Sequence, residues 1–228
     1  MQKVTALDNK NGNVGSFENW NIFEFVINLF FPKDYFDTYL QGFEKFENSI
    51  KLRKPDFENA FFDQIVVCSD YKKLEKLLHR AKFNGEISIV SDFAKIMSIC
   101  LKKAISQNLI LEPDLLIFVP PDAKRLGIRG FHLPQILTQK VSQKTKIPFV
   151  KILKKTKQTQ AQTQLNREKR LVNLENSFEL IGEISPKIKT VCLIDDICTT
   201  GSTLNECVRI LKQNYPYLQV FALVLASN

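Results

Sequence analysis

The stretch that most constrains this chain runs from Val191 to Thr203, VCLIDDICTTGST. Its first four residues, Val191–Ile194, are mostly apolar and β-favouring, which predicts a strand buried on both faces. Two adjacent carboxylates follow, Asp195 and Asp196. Thr199, Thr200, Gly201, Ser202 and Thr203 then make a loop of small and hydroxylated residues. Beyond it Leu204, Cys207, Val208 and Leu211 recur at helical spacing. Strand, acid pair, hydroxyl-rich glycine loop and helix are the parts from which an α/β sheet builds a phosphate pocket at the carboxyl end of a strand. Backbone N–H groups and hydroxyls of such a loop face the phosphate, and the helix N-terminus adds favourable partial charge. Carboxylates that close to a phosphate do not bind it; they accept hydrogen bonds from a neighbouring diol or hold a hydrated cation. A plainer reading is a helix start, because Thr203 and Glu206 fit a capping box. The loop is not an ATP-binding P-loop, since no Gly-Lys-Ser/Thr is present.

Composition sets the outer limits. The chain has 228 residues and is 44% hydrophobic, enough for one large domain, or one domain and an appendage, around a true core. The first sixteen residues, MQKVTALDNKNGNVGS, are polar and carry no apolar signal-peptide core. The aromatic run Phe23–Phe31 is interrupted by Glu24 and Asn28 and is shorter than the ~20 residues a bilayer span needs. These features predict a cytoplasmic protein with no membrane span. The five cysteines, Cys68, Cys100, Cys192, Cys198 and Cys207, form no Cys-x-x-Cys pair, which argues against a disulfide framework or a zinc ribbon. Cys192 is expected to face the core, and Cys198 to fill space in the loop as a small residue, not to act as a catalytic thiol.

The net charge of +8 is unevenly spread. Residues 1–66 hold 7 Lys/Arg against 10 Asp/Glu, whereas residues 122–170 hold 13 against 2, a local +11. Such a segment suits a polyanion, either a diphosphate-bearing sugar or a nucleic-acid backbone, against the plainer alternative of a solvated lysine face.

Taken in order, residues 1–16 read as a polar tail and residues 17–62 as an aromatic-rich appendage that packs on itself or docks on a partner. That segment holds 11 of the 18 Phe, with Trp20, Tyr35 and Tyr39. Lys54-Pro55 is a candidate break, and the division expected is 1–60 and 61–228. Residues 61–67 read as a strand, Tyr71–Phe83 as an amphipathic helix ended by Asn84-Gly85, and Ser91–Gln107 as a second helix. His79 reads as a surface or cap-like residue. Leu115–Val119 predicts a buried strand that must stop at Pro120-Pro121-Asp122. Lys124, Arg125 and Arg129 follow, with Gly127 and Gly130 among them: a second anion site at a strand end, or an ordinary basic loop. His132–Val141 reads as a helix with Pro134 tolerated in its first turn, Phe149–Leu153 as a strand, residues 154–173 as a loop or a surface helix with the features of a lid, and Phe178–Ile181 and Gln219–Ala226 as strands. Strands alternating with helices predict an α/β fold with a mainly parallel sheet.

Three further motifs carry a family resemblance. They are Leu77-Leu78-His79-Arg80-x-Lys82-Phe83-x-Gly85; Arg125-Leu126 with Arg129-Gly130-Phe131; and Gln162-Thr163-x-Leu165-x-Arg167-x-x-Arg170-x-x-Asn173 with Phe178 beyond. The Val191–Thr203 string resembles the signature by which type I phosphoribosyltransferases bind 5-phosphoribosyl 1-diphosphate (PRPP). Together the motifs resemble the ComF-type phosphoribosyltransferases linked to DNA uptake in natural competence, over about residues 61–228. The resemblance implies the type I phosphoribosyltransferase fold, with the 5′-phosphate held by Thr199, Thr200, Gly201, Ser202 and Thr203. It implies catalytic roles for Asp195, Asp196, Arg167 and Arg170, and a pyrophosphate site at Pro121, Asp122, Lys124 and Arg125. It also implies Mg²⁺ carried by PRPP and water, with no dedicated metal ligands in the chain. Single-stranded DNA and a competence helicase or channel protein become candidate partners, and a non-catalytic DNA-binding or docking accessory is the alternative reading. The chain departs from the family pattern in three places. It lacks the N-terminal zinc-ribbon cysteines, so no zinc is expected. His132-Leu133 replaces the usual Asn-Gln, and Asp122 stands where the family has histidine.

Overall fold

The computed structural model describes residues 51–53, 61–62, 64–83, 86–123, 126–127, 130–156 and 177–227. The expected polar tail, nearly all of the aromatic appendage, the break at Lys54-Pro55, Asn84-Gly85, Lys124, Arg125, Arg129 and the basic segment with Arg167 and Arg170 lie outside the described residues.

Among the described residues the elements run in the order β1 (Lys51–Arg53), β2 (Ile65–Asp70), α1 (Tyr71–Phe83), α2 (Ile87–Ser106), β3 (Leu115–Phe118), α3 (Leu133–Thr145), β4 (Phe149–Val150), β5 (Leu153–Lys155), β6 (Phe178–Leu180), β7 (Thr190–Cys198), α4 (Ser202–Asn214) and β8 (Gln219–Ser227). Six strands form one sheet in the order β1-β2-β8-β7-β3-β4. The run from β2 to β4 is parallel throughout, and β1 pairs antiparallel with β2 at the edge. β5 and β6 form a separate antiparallel pair. This is the α/β architecture with a mainly parallel sheet that the strand–helix alternation predicts.

The sheet is covered on both faces, which is why its central strands are near-continuous apolar runs. In β7, Cys192 and Ile194 join the core formed with α1, α2 and α3, whereas Val191 and Leu193 join the core beneath α4 and the β5–β6 pair. The period-two alternation of a strand feeds both cores from one tetrapeptide. Cys192 thus sits in a core, as its strand position predicts.

Several boundaries differ from the sequence reading, each for a local reason. The strand at residues 61–67 falls instead at Ile65–Asp70, where Ile65, Val66 and Val67 pair with Ala222, Leu223 and Val224. Phe62 is instead buried on the α4 side of the sheet, and the Phe61 N–H donates to Asn205 Oδ1 at 2.9 Å. The strand expected over Phe149–Leu153 is broken in two. Phe149 and Val150 add to β3 at the sheet edge, then the chain leaves at Lys151 and Leu153–Lys155 pairs with β6. The most consequential difference is in β7. Strand structure does not end at Ile194 but continues through the acid pair to Cys198, because β8 is long enough to partner it: Asp195 faces Val224, Ile197 faces Ala226 and Cys198 faces Ser227.

The two halves of the sheet wind in opposite directions. From β3 the chain passes through α3 to β4 at one edge; from β7 it passes through α4 to β8 on the other side. β3 and β7 are neighbours, in register from Leu115 with Val191 to Phe118 with Ile194. α3 and α4 lie on opposite faces. The loops leaving β3 and β7 therefore diverge, opening a crevice at the carboxyl ends of these two strands, the topological switch point where open α/β sheets bind ligands.

Leu193 is fully buried at the centre of this arrangement. Truncation to alanine is expected to lower the unfolding free energy by roughly 2–5 kcal/mol, read from urea denaturation midpoints at constant slope.

Candidate functional site

The crevice is lined from both sides by the residues the sequence singles out. Val119 N–H donates to Ile194 O at 3.0 Å, so the β3 chain runs level with β7 right up to the acid pair. Pro120 and Pro121 then turn it away. On the β7 side the extended strand delivers Asp195 and Asp196 and ends in the loop at residues 199–201.

Gly201 is the pivot of that loop. Its φ of +81° lies in the left-handed region, which an L side chain rarely adopts, and it occupies the N-cap position of α4. Its carbonyl accepts the first helical bond, from Asn205 N–H at 2.8 Å. Thr200 Oγ1 and Ser202 Oγ lie 2.8 Å apart across the turn, and Ser202 is buried. The capping-box reading of Thr203 with Glu206 is not realised. Thr203 lies inside the helix, beyond the cap, and the Glu206 carboxylate takes two 2.7 Å hydrogen bonds from Arg209. Cys198 is buried in the core below.

The acid pair is electrostatically split. Asp195 Oδ1 accepts from Asp196 N–H at 2.8 Å, and Asp196 Oδ1 accepts from Ile197 N–H at 2.8 Å. Lys82, from the last turn of α1, forms an ion pair with Asp196 Oδ2, and both side chains are largely buried. Burial pushes the Asp195 carboxyl well above the usual carboxylate range, and the charge of Asp196 beside it adds to the rise. Burial also works against ionisation of Asp196, but the Lys82 ammonium outweighs it and holds that carboxyl below its ordinary value. Lys82 belongs to one of the family motifs, yet nothing in the sequence ties it to Asp196. The pairing is made by α1 ending over the tip of β7, 114 positions away in the chain.

A second buried pair lies on the β3 side. Lys155 Nζ, from β5, meets Asp122 Oδ2 at 3.0 Å, with both side chains about nine-tenths buried. Lys155 also sits 5.9 Å from the Phe178 ring centroid, opposite it across β5 and β6. Pro121 is half-buried beside Asp122. The structure brings together Pro121, Asp122, Asp195, Asp196 and residues 199–203. Lys124, Arg125, Arg167 and Arg170 lie outside the described residues. Sequence reasoning missed the roles of Lys82 and Lys155, because a lysine paired through the fold looks like any lysine of a basic stretch.

Among the described residues no group of three or more His, Cys, Asp and Glu side chains is arranged to hold a metal ion. No helix of the described chain is long and apolar enough to cross a membrane. His79 is exposed on α1, its ring centroid 4.7 Å from that of Phe83 and tilted by 34°.

Residues 129–228 match the phosphoribosyl transferase domain family, a span that takes in β7, its loop and α4. Competence protein F of Haemophilus influenzae is 31% identical over 169 residues, which cover 72% of this chain and 74% of that protein. DNA utilization protein YhgH of Escherichia coli K12 is 28% identical over 155 residues, 67% of each chain. Competence protein ComFC of Streptococcus pneumoniae is 29% identical over 140 residues, 61% of this chain and 57% of that one.

Opposite stability effects are expected for the two acids. A folded-state pKa raised above the unfolded value means that ionised Asp195 costs stability at neutral pH, and that this cost shrinks as pH falls. Asp195→Asn should therefore melt higher than the wild type at pH 7, with the gap narrowing toward pH 5. The lowered pKa of Asp196 means that its charge stabilises the fold above the unfolded carboxylate pKa and that this is lost as pH falls. Asp196→Asn strands a buried Lys82 and should cost roughly 2–4 kcal/mol. Thermal melts of both variants at the two pH values check the signs.

Proposed function

The chain belongs to the ComF family of competence proteins, a phosphoribosyltransferase-domain family linked to DNA uptake, and we propose that it binds PRPP in the crevice between β3 and β7. The carrying observation is the acid pair at the end of β7, one of its members held ionised by Lys82, followed directly by a Gly201-centred turn into a helix N-terminus. A ribose phosphate has the matching chemistry: a dianionic phosphate at one end of a ring whose other edge is a diol.

In this reading the backbone and hydroxyls of Thr199, Thr200, Gly201, Ser202 and Thr203 surround the 5′-phosphate, with the α4 N-terminus contributing partial positive charge. Asp195 and Asp196 accept hydrogen bonds from the 2′- and 3′-hydroxyls. Ionised Asp196 stabilises cationic character as it develops on the ribose ring, and Asp195 takes or gives a proton more readily because its carboxyl is raised. Pro121 and Asp122 border the diphosphate, with Lys124 and Arg125, close by in sequence, as its cationic contacts. Arg167 and Arg170 cover the reacting centre and exclude water. The carboxylates of this crevice suit a magnesium ion that arrives with its ligand, since hard cations take diphosphate and water oxygens. Bound there, Mg²⁺ supplies charge neutralisation for the departing diphosphate. The bond broken is C1′–O to diphosphate, and the bond formed joins C1′ to a nucleophile such as a nitrogen base.

A second reading has its own support. The net +11 of residues 122–170 suits a nucleic-acid backbone, and one relative is named for DNA utilization. We place the chain in the cytoplasm as a single-stranded DNA binder that also works with a competence helicase or channel protein. All five cysteines are free thiols buried in the fold, as a reducing compartment allows.

Calorimetry should show PRPP binding that needs Mg²⁺ and disappears in Asp195→Asn/Asp196→Asn. Gly201→Val should weaken ribose 5-phosphate by about tenfold or more, because the residue leaves its left-handed conformation or strains to keep it. A wild type that gives no heat with PRPP and Mg²⁺ ends the proposal.

A further inference from the structure

An aspartate beside a diphosphate is an electrostatic contradiction. Asp122 lies three residues past Val119, whose N–H is bonded to Ile194 O next to the acid pair, so the residue follows directly on the carboxyl end of β3, on that side of the crevice. Two unit charges of like sign a few ångströms apart repel strongly at the effective dielectric of a partly buried site. The fold answers with Lys155. This residue comes from neither β3 nor β7 but from β5, in the small sheet beneath α4. Its ammonium meets Asp122 Oδ2 at 3.0 Å, and both groups are withdrawn from solvent, where screening by salt is weak. Phe178 closes over the lysine from the paired strand.

On the PRPP reading above, we infer that Lys155 is a positioning residue for diphosphate: it neutralises Asp122, so that the β3 side of the crevice accepts a polyanion it would otherwise reject. Lys155 acts through Asp122 and need not touch the ligand. The pair thereby sets which ribose phosphates bind. Ribose 5-phosphate, held at the Gly201 turn, is indifferent to it; PRPP, which adds a diphosphate toward β3, is not.

The test is calorimetry on the full chain with Mg²⁺, using PRPP and ribose 5-phosphate as the two probes and the ratio of their affinities as the readout. Lys155→Met removes this counterion from Asp122 and should lower the PRPP to ribose 5-phosphate ratio by roughly tenfold. Asp122→Asn removes the acid while the lysine keeps its charge, and should raise the ratio. Asp122→Asn/Lys155→Met restores neutrality and should return it to within about twofold of wild type. A double variant as poor as Lys155→Met overturns the inference in favour of direct ligand contact. Equal loss of both probes overturns it in favour of a purely structural pair. Should Lys155→Met fail to fold, the other two variants still decide, because a ratio unchanged or lowered in Asp122→Asn overturns the inference. Absence of PRPP binding by the wild type ends the PRPP reading itself, and this inference with it. Binding with unmoved ratios ends the inference alone.

Discussion

Everything distinctive about this molecule depends on the pairing of β7 between β3 and β8. β7 lies between β3 and β8; the chain leaves β3 through α3 toward β4 on one side and leaves β7 through α4 toward β8 on the other. That arrangement opens the crevice without any hole being made in the core. Because Leu115–Phe118 and Val220–Leu225 hold β7 on either flank, its tip can carry side chains that the strand's own propensity would not favour. Two aspartates in succession are poor strand residues, yet here they lie within a paired strand. Ladder hydrogen bonds and two apolar cores fix them, not local preference.

Charge burial is the second organising theme, and it recurs at two points of the same crevice. A carboxylate taken out of water is costly unless it is paired and hydrogen-bonded. Asp196 is satisfied by Lys82 from α1, and Asp122 by Lys155 from β5. Each counterion comes from an element on a different face of the sheet, so the two faces are tied to the site independently. The asymmetry this produces in the acid pair is chemically useful. One carboxyl keeps its charge and its neighbour is driven toward the neutral form, so a vicinal pair of identical residues can serve as an ion and an acid at one pH.

Local chemistry was legible in the sequence, and long-range pairing was not. The helix at Tyr71–Phe83 could be bounded from Leu74, Leu77 and Leu78 on one stripe, and the strand at Leu115 from its run into Pro120-Pro121, since both signals reside in adjacent residues. The turn into α4 was readable because Gly201 sits where only a backbone without a Cβ turns easily. By contrast, the length of β7 was set by its partner β8, the break between β4 and β5 by the edge of the sheet, and the value of Lys82 and Lys155 by contacts 114 and 33 residues away. Residue type told that a lysine was present; only topology told which carboxylate it answers. The Thr203 and Glu206 match misled for the same reason, since Arg209 one turn on competes for the glutamate.

These observations bear on how such a crevice tolerates change. The Gly201 turn is built from backbone and small hydroxyls, and backbone N–H groups keep their geometry whatever the surrounding charges. The β3 side relies instead on a charged pair, and charge can be exchanged position by position so long as its sum is kept. Asp122 takes the local charge toward negative, and Lys155 takes it back. A crevice of this kind can drift at its β3 edge while its Gly201 turn stays fixed. The residues that report such drift are then the counterions on neighbouring strands, not the residues that border the ligand.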